Sequence, residues 1–465
     1  MINNCYTEFY SGIFCDSRLD KRVGKILTDL VHSGSATVNK SVPDNASKIG
    51  FYRTLGNNRI THDNILEGSF RRCIENLDAE HVLCFNDTTE LNFNHIATKL
   101  GKLDPDIGPT TDKKVAGMFC HPMLVCSEDG QTIFGISSTS IFNRKWDQKD
   151  KHERNYPNLS IEEKESYRWI ENAQNTRQRI SNNVIITIIG DRESDIYEEY
   201  VRIASDNTHL LIRARSDRRT ESENGKLYAD LSAQPCAGKI TIELQANKSR
   251  TKREADIEVR YCEVEITAPQ RYKGPIKSKK LYAIEAREIT PCLQKDQSPV
   301  LWRLLTTHTV ETLQQALQCI QWYKQRWLIE ELFRVMKTKG FQIESSQLGR
   351  GAGIKKLVAL VLESALQVMR MKLALDGQHL HTAELIFSKK QILFLSILLK
   401  TVEGKTEKQK NPYPEKTIAW AAWIIARLGK WTGYKAHGPP GYMTIKNGFE
   451  TFNIQYKIFE ILNEG

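Results

Sequence analysis

The residues best suited to chemistry lie in one stretch, residues 321–337. This stretch contains no glycine or proline and consists mostly of good helix formers, which predicts a helix. At about 100° per residue, one phenol, two cations and one carboxylate fall within roughly 60° of one another on its surface. They are Tyr323, Arg326, Glu330 and Lys337. This face could hold a phosphate, but Arg326 and Glu330 also have the i,i+4 spacing of an ordinary surface salt bridge.

Two aspartates follow predicted strands. Residues 81–85 form an apolar strand that leads into Asp87, and the β-branched run at residues 184–190 leads into Asp191. A run of this kind is typical of a central strand buried on both faces. Open α/β sheets bind ligands at the carboxyl ends of such strands. Taken separately, each aspartate is better explained as the N-cap of a following helix.

Asp87, Asp191 and Glu330 together form a set of carboxylates that suits Mg²⁺, which binds few protein carboxylates and keeps positions for water and phosphate oxygens. Two such ions about 3.5–4 Å apart can activate an attacking oxygen and stabilise a leaving one. Phosphoryl transfer is therefore the predicted reaction class. Arg326 and Lys337 would then hold the phosphate beside the carboxylates.

The elements before the first aspartate are predicted to be short helices in residues 16–76. The first begins at Asp16 or Ser17, the second follows Asp44, and the third begins at Thr61. Their cations could dock on DNA phosphates or could simply form a solvated face. The tentative DNA-contacting set is Arg18, Arg22 and Arg53.

Further elements complete the α/β pattern. Residues 123–126 and 133–137 are predicted strands, and a helix is expected to begin at Ser160, with Glu163 completing a capping box, and to run toward Arg179. Residues 226–290 alternate with period two, which predicts an antiparallel β insertion. The strand at residues 301–306 then returns to the main sheet, and Thr309 or Thr312 begins the helix of residues 321–337.

The C-terminal region is predicted to be helical at residues 357–375, 383–400 and 418–428.

Composition limits the possible classes of protein. A chain of 465 residues with 40% hydrophobic residues is globular and holds two or three domains. Its formal charge of +10 favours a polyanionic partner without proving one. We expect no signal peptide, because the first residues lack the basic and apolar regions of one, and no membrane span, because the longest apolar run covers only residues 392–399. We expect reduced cysteines and no structural zinc, because the Cys120-His121 and His379-Leu380-His381 pairs lack companion ligands.

The spacing Y-x2-R-x3-E-x6-K resembles the signature of DDE transposases of bacterial insertion sequences, in their cut-and-paste branch. The segments around Asp87 and Asp191 are similar to those that carry the first two catalytic aspartates of that family. Further similarity lies in residues 163–166, at Trp169 and in residues 426–429. The likeness therefore extends over most of the chain.

This resemblance implies an α/β fold, with an RNase H-like catalytic core and an antiparallel β insertion. The expected division is a helical DNA-binding domain at residues 1–76, the catalytic domain at 77–345 with its insertion at about 220–300, and an all-helical dimerisation domain at 346–465. Two Mg²⁺ ions, for which Mn²⁺ could substitute, would be held by the three carboxylates. Residues implied to contact DNA are Tyr323, Arg326 and Lys337 at the phosphate, Trp302 as a stacking platform for a flipped base, and Arg334.

The implied function is binding of terminal inverted repeats, cleavage by metal-dependent hydrolysis and hairpin formation, and joining to target DNA. The expected protein acts as a homodimer in a synaptic complex, in the bacterial cytoplasm and near the nucleoid. Two alternatives stay open at this point. One is an RNase H-like endonuclease or resolvase that cuts without joining. The other is an inactive, transposase-derived DNA-binding protein.

Overall fold

Helices form both end regions of the described chain, and all of its strands lie between them, which makes it a mixed α/β protein. The computed structural model describes residues 6, 8–42, 44–100, 104–147, 155–244, 253–289, 299–338, 340–376, 381–434 and 437–464. The helices are α1 Ser17–Ser33, α2 Val38–Ser41, α3 Asn45–Gly56, α4 His62–Glu75, α5 Ala97–Leu100, α6 Tyr167–Arg179, α7 Tyr197–Arg202, α8 Leu227–Ala233, α9 Leu313–Lys324, α10 Trp327–Lys337, α11 Gly351–Asp376, α12 Lys389–Val402, α13 Ile418–Leu428 and α14 Tyr442–Glu464. The strands are β1 His81–Asn86, β2 Thr89–Asn92, β3 Gly108–Pro109, β4 Ala116–Ser127, β5 Ile133–Phe142, β6 Ile185–Gly190, β7 Thr208–Arg213, β8 Gly238–Leu244, β9 Arg253–Thr267, β10 Ser278–Glu288 and β11 Leu301–Thr306.

The chain divides into two compact units. The first unit comprises Met1–Asp78, Thr88–Gln148 and Leu328–Gly465. The second unit comprises Ala79–Asp87 and Lys149–Trp327. The three-domain division expected from the sequence stays a prediction.

The second unit is built on a mixed sheet in the order β1-β6-β7-β11-β10-β9-β8. Strands β1, β6 and β7 are parallel, and β11, β10, β9 and β8 continue the sheet in antiparallel pairs. The predicted central strand is confirmed, because β6 lies between two parallel partners and is buried from Ile186 onward. The predicted antiparallel segment, residues 226–290, is confirmed for β8, β9 and β10, whereas its first part forms the helix α8. These strands extend this same sheet, and β11 joins them to β7.

The first unit contains the amino-terminal and carboxyl-terminal helices together with β2, β3 and β5, which pair with β4. The predicted helix starts are confirmed, because Asp16, Asp44 and Thr61 each accept a backbone N–H at the first turn of α1, α3 and α4. The helices α4 and α11 share a buried network of Arg72, Glu363 and Arg370. Arg370 also donates to the carbonyl of Ile133, 2.9 Å away, which fixes β5 against α11.

The prediction of one unbroken helix over residues 321–337 is wrong. Helix α9 ends at Lys324 and α10 begins at Trp327, and a tight turn separates them. In this turn the backbone N–H groups of Gln325 and Arg326 bond to carbonyls three residues earlier instead of four. The helical-wheel argument for a common face of the four residues assumed an unbroken helix, so it no longer applies.

The helix predicted to run toward Arg179 is confirmed, but its predicted start at Ser160 is wrong, because α6 begins at Tyr167. The Glu163 carboxylate does accept the Ser160 backbone N–H, at 2.9 Å. However, residues 160–167 form successive three-residue turns. The capping contact therefore closes a turn without starting a helix. Helix α14, the last in the chain, was absent from the prediction.

His379 and Leu380 lie outside the described residues, so the expectation about that histidine pair is not addressed. Among the described residues, no helix is both long and apolar enough to cross a membrane.

Candidate active site

Asp87 and Asp191 occupy matching positions at the ends of neighbouring strands of the second unit. The parallel pairing of β1 with β6 places Phe85 opposite Ile189. Each aspartate follows two residues later, at the carboxyl end of its strand. Both side chains are half-buried. The structure thus brings together the two aspartates that the sequence placed at separate strand ends.

Arg326 contacts the first of these aspartates. Its Nη1 donates to Asp87 Oδ2 at 2.9 Å, and the two side chains are 17% and 20% exposed. Arg326 lies in the turn between α9 and α10. This turn directs a cation onto the carboxylate at the end of β1.

Tyr323 and Trp302 lie beside this ion pair, within the same unit. Burial raises the pKa of the Tyr323 phenol, while Arg326 and a hydrogen bond from Arg213 act in the opposite direction. The ring of Trp302, on β11, meets the Tyr323 ring edge-on at 5.5 Å between centroids. Trp302 is half-buried, so part of its ring is accessible. The sequence did not identify Arg213, because a basic residue at the end of β7 has no distinguishing spacing.

The turn after β6 orients Asp191. Its Oδ1 accepts the Glu193 backbone N–H at 2.7 Å, as expected of a capping aspartate. The helix expected here begins as a 3₁₀ turn, Arg192–Ser194. The capping interpretation of Asp191 is confirmed and engages one oxygen of the carboxylate, and the ligand-binding role of Asp191 stays a prediction.

Glu330, Arg334 and Lys337 lie on α10, in the first unit. Glu330 is exposed, and Arg334 is paired with Glu331 on its own helix. Lys337 Nζ donates to the carbonyl of Glu90 at 2.7 Å and lies 3.2 Å from Glu344 Oε1. Lys337 is thereby held against β2, the strand that follows Asp87 in the chain.

The amino-terminal cations of the tentative set, Arg18, Arg22 and Arg53, are exposed. Arg18 is paired with its helix-capping neighbour Asp16, Nε to Oδ1 at 3.2 Å. The guanidinium of Arg22 lies against Gly50 of α3, where a Cβ would come within 2.4 Å of Nη1. Gly50 thus allows the close approach of α1 and α3.

Asp87 and Asp191 fit a divalent metal ion of the Mg²⁺ type. They supply hard oxygen donors from adjacent strands, and Mg²⁺ is typically bound through one or two carboxylates together with substrate phosphates. In the described part of the chain, no three His, Cys, Asp or Glu side chains form a ready-made metal cluster. A metal ion bound by Asp87 and Asp191 would therefore need further ligands. A phosphate oxygen of the substrate is one ligand that Mg²⁺ accepts.

Residues 170–364 match the family model of the transposase DDE domain. The matched segment contains Asp191, Trp302, Arg326 and Glu330, and it begins after Asp87. The match supports a transposase DDE domain in this part of the chain, and with it a transposase function and DNA as a partner. Enzymes of this family generally use divalent metal ions. The mixed sheet of the second unit fits such a domain.

Proposed function

We propose that this protein is a cut-and-paste DNA transposase. It binds the terminal inverted repeats of its element, cleaves the ends by hydrolysis and hairpin formation, and joins them to target DNA. The observation that carries the proposal is the matched pair Asp87 and Asp191 at adjacent strand ends, with Arg326 bonded to Asp87. This arrangement combines hard oxygen donors with a cation able to bind phosphate.

Asp87, Asp191 and Glu330 form the proposed metal-binding set. Two Mg²⁺ ions, for which Mn²⁺ could substitute, would neutralise charge at the scissile phosphate and assist the attacking and leaving oxygens. The three carboxylates would hold these metal ions, which would supply positive charge for the reacting phosphate. The oxygen of water attacks the phosphorus at the element end and displaces the 3′-oxygen, which leaves as a 3′-hydroxyl. This hydroxyl then attacks a phosphorus of the opposite strand, displaces the 3′-oxygen of the flanking DNA and so forms the hairpin.

The remaining site residues bind and orient the DNA end in this proposal. Arg326 and Lys337 carry the positive charge that a phosphodiester needs beside carboxylates. The Tyr323 phenol, beside Arg326, donates to a phosphate oxygen. Trp302 stacks on a flipped base, and aromatic stacking of this kind is worth about 1–3 kcal/mol. Four further arginines contact the phosphate backbone of the DNA, which positions the DNA without reading its sequence. They are Arg334, Arg18, Arg22 and Arg53.

An assay on the element's own ends tests the proposal. Purified protein is incubated with Mg²⁺ and linear DNA that carries the inverted repeats flanking its gene. We expect hairpin-ended fragments and, with added plasmid, joined products, and no cleavage of DNA with scrambled repeats. Absence of cleavage would overturn the proposal. Cleavage without hairpins or joining would favour a nuclease or resolvase, and a protein that binds no Mn²⁺ even with DNA would favour the inactive DNA-binding protein.

The proposed active form is a homodimer, and an apolar stripe on the first unit supports this. Ile454, Ile458 and Ile461 of α14 follow helical spacing and are 65%, 54% and 73% exposed. Leu393 and Ile397 of α12 are exposed as well, and α12 packs on α14 through Phe394 and Phe459. Soluble proteins rarely leave such stripes uncovered. A second copy is the proposed occupant, because two like stripes with flanking Lys457 and Glu460 are self-complementary about a twofold axis.

Ile458→Asp should weaken dimerisation by at least about 100-fold, because two desolvated carboxylates near the twofold axis would repel each other and lack partners. Sedimentation velocity, with and without DNA ends, measures this. Ile276→Asp is the matched control, since Ile276 is 41% exposed in the other unit and should leave association unchanged. Wild-type protein that stays monomeric on DNA ends would contradict the proposal.

A further inference from the structure

The turn that carries Asp191 is followed by a buried ion pair, four residues along the chain. The side chain of Asp195 is fully buried, and that of Arg218 is 11% exposed. Arg218 Nε donates to Asp195 Oδ1 at 2.8 Å, and its Nη2 donates to the Asp195 backbone carbonyl at 2.6 Å. The Tyr200 hydroxyl also donates to Oδ1, at 3.3 Å. One arginine therefore holds both the side chain and the backbone of Asp195.

The second oxygen of Asp195 reaches the chain beyond the neighbouring strand. Asp195 Oδ2 accepts the backbone N–H of Arg215, 2.8 Å away, two residues after the end of β7. Strands β6 and β7 are parallel, so their carboxyl ends lie at the same edge of the sheet. Asp195 thus ties the loop that begins with Asp191 to the loop that follows β7. Arg213, the last residue of β7, lowers the pKa of the Tyr323 phenol, against the larger opposing effect of burial.

A second buried contact fixes the same turn from within. The hydroxyl of Ser194 donates to Glu199 Oε2 at 2.9 Å, and burial raises the pKa of the Glu199 carboxyl to about 8. Ser194 also packs on Gly190, where a Cβ would come within 2.4 Å of the serine Cβ. These contacts pack Gly190 and Ser194, which lie on either side of Asp191, against each other.

We propose that Asp195 and Arg218 are positioning residues for the metal-binding carboxylate of Asp191, a role that rests on the proposed function. In this role they act through the backbone and not by binding DNA or metal themselves. They set the path of the backbone from β6 into the turn, and so the direction of the Asp191 carboxylate. The atoms of a productive site must lie within about 0.5 Å of their required positions. Residues that orient metal ligands typically alter metal affinity by about 10–100-fold when replaced.

The test measures Mn²⁺ affinity of the full-length protein without DNA, by electron paramagnetic resonance of free Mn²⁺. Asp195→Asn should weaken Mn²⁺ binding about tenfold, because the amide keeps the shape of the side chain but loses the charge that holds Arg218. Arg218→Lys should fall between wild type and Asp195→Asn, since lysine keeps the charge without the forked geometry. If Asp195→Asn fails to fold, the milder Arg218→Lys variant carries the test.

The matched control is Glu288→Gln. Glu288 pairs with Arg253 in the same unit, and their side chains are 0% and 15% exposed, close to the values for Asp195 and Arg218. Glu288→Gln should lower the melting temperature about as much as Asp195→Asn does, and it should leave the Mn²⁺ affinity within about twofold of wild type. Equal Mn²⁺ weakening by Glu288→Gln, or wild-type affinity in both Asp195→Asn and Arg218→Lys, would overturn the positioning role. Absence of Mn²⁺ binding by wild type, or binding unaffected by Asp191→Asn, would instead overturn the proposed metal site, and the positioning role with it.

Discussion

Asp191→Asn should lower cleavage of DNA ends by about 10³-fold and leave the melting temperature unchanged. The loss follows because metal stabilisation of a transferring phosphate is worth several kcal/mol, and each 1.36 kcal/mol is tenfold in rate. The fold survives because the asparagine oxygen can still accept the Glu193 backbone N–H. Asparagine caps helices and turns about as well as aspartate. Single-turnover cleavage rates and thermal melts measure the two effects.

Asp129→Asn is the control for this substitution. Asp129 lies in the turn between β4 and β5, and its Oδ1 accepts the N–H two residues later at 3.0 Å, as Asp191 does. Its replacement should leave cleavage unchanged. Glu330→Gln should show the same loss as Asp191→Asn. Full cleavage by either carboxylate variant would remove that residue from the proposed metal-binding set.

Arg326→Ala should change two properties in opposite directions. Cleavage of DNA ends should fall by about 100-fold, because the variant lacks a fixed cation at the phosphate. Mn²⁺ binding to the free protein should become about fivefold tighter, because Arg326 no longer competes for Asp87 Oδ2. A partly buried pair of this kind is worth about 1 kcal/mol, which corresponds to that factor.

Arg192→Ala is the matched control, because Arg192 is an exposed arginine adjacent to Asp191 and its loss changes the net charge equally. It should alter Mn²⁺ affinity less than Arg326→Ala does. Unchanged or weaker Mn²⁺ binding by Arg326→Ala would contradict the competition between arginine and metal. An unfolded Arg326→Ala protein, judged by circular dichroism, would assign Arg326 a structural role.

Competition at Asp87 also implies coupling between DNA and metal. A phosphate that draws Arg326 away from Asp87 Oδ2 would remove one competitor for the metal at that oxygen, and bound metal would in turn weaken the hold of Asp87 on Arg326. Thermodynamic linkage makes the two effects equal in size. The protein would thus hold its metal most firmly when a DNA end is in place.

The sequence by itself determined the elements that carry the two aspartates. Strand β6 is predictable from its run of β-branched residues. The helix starts are predictable from the capping residues Asp16, Asp44 and Thr61. Both features depend on residues that are close together in the sequence. The alternating segment and the strand of Trp302 follow for the same reason. Assignment of metal and DNA roles to these side chains stays a prediction.

Only the tertiary structure decided which charges meet. The Asp87 partner of Arg326 is 239 positions away in sequence, and Arg218 meets Asp195 across 23 positions. Local helix propensity favoured one helix through Gln325 and Arg326, yet the chain breaks there. The physical reason is that one ion pair or one helical turn is worth about 1 kcal/mol, so many local alternatives are nearly equal in energy. The packing of distant elements selects among them, and one sequence does not display that packing.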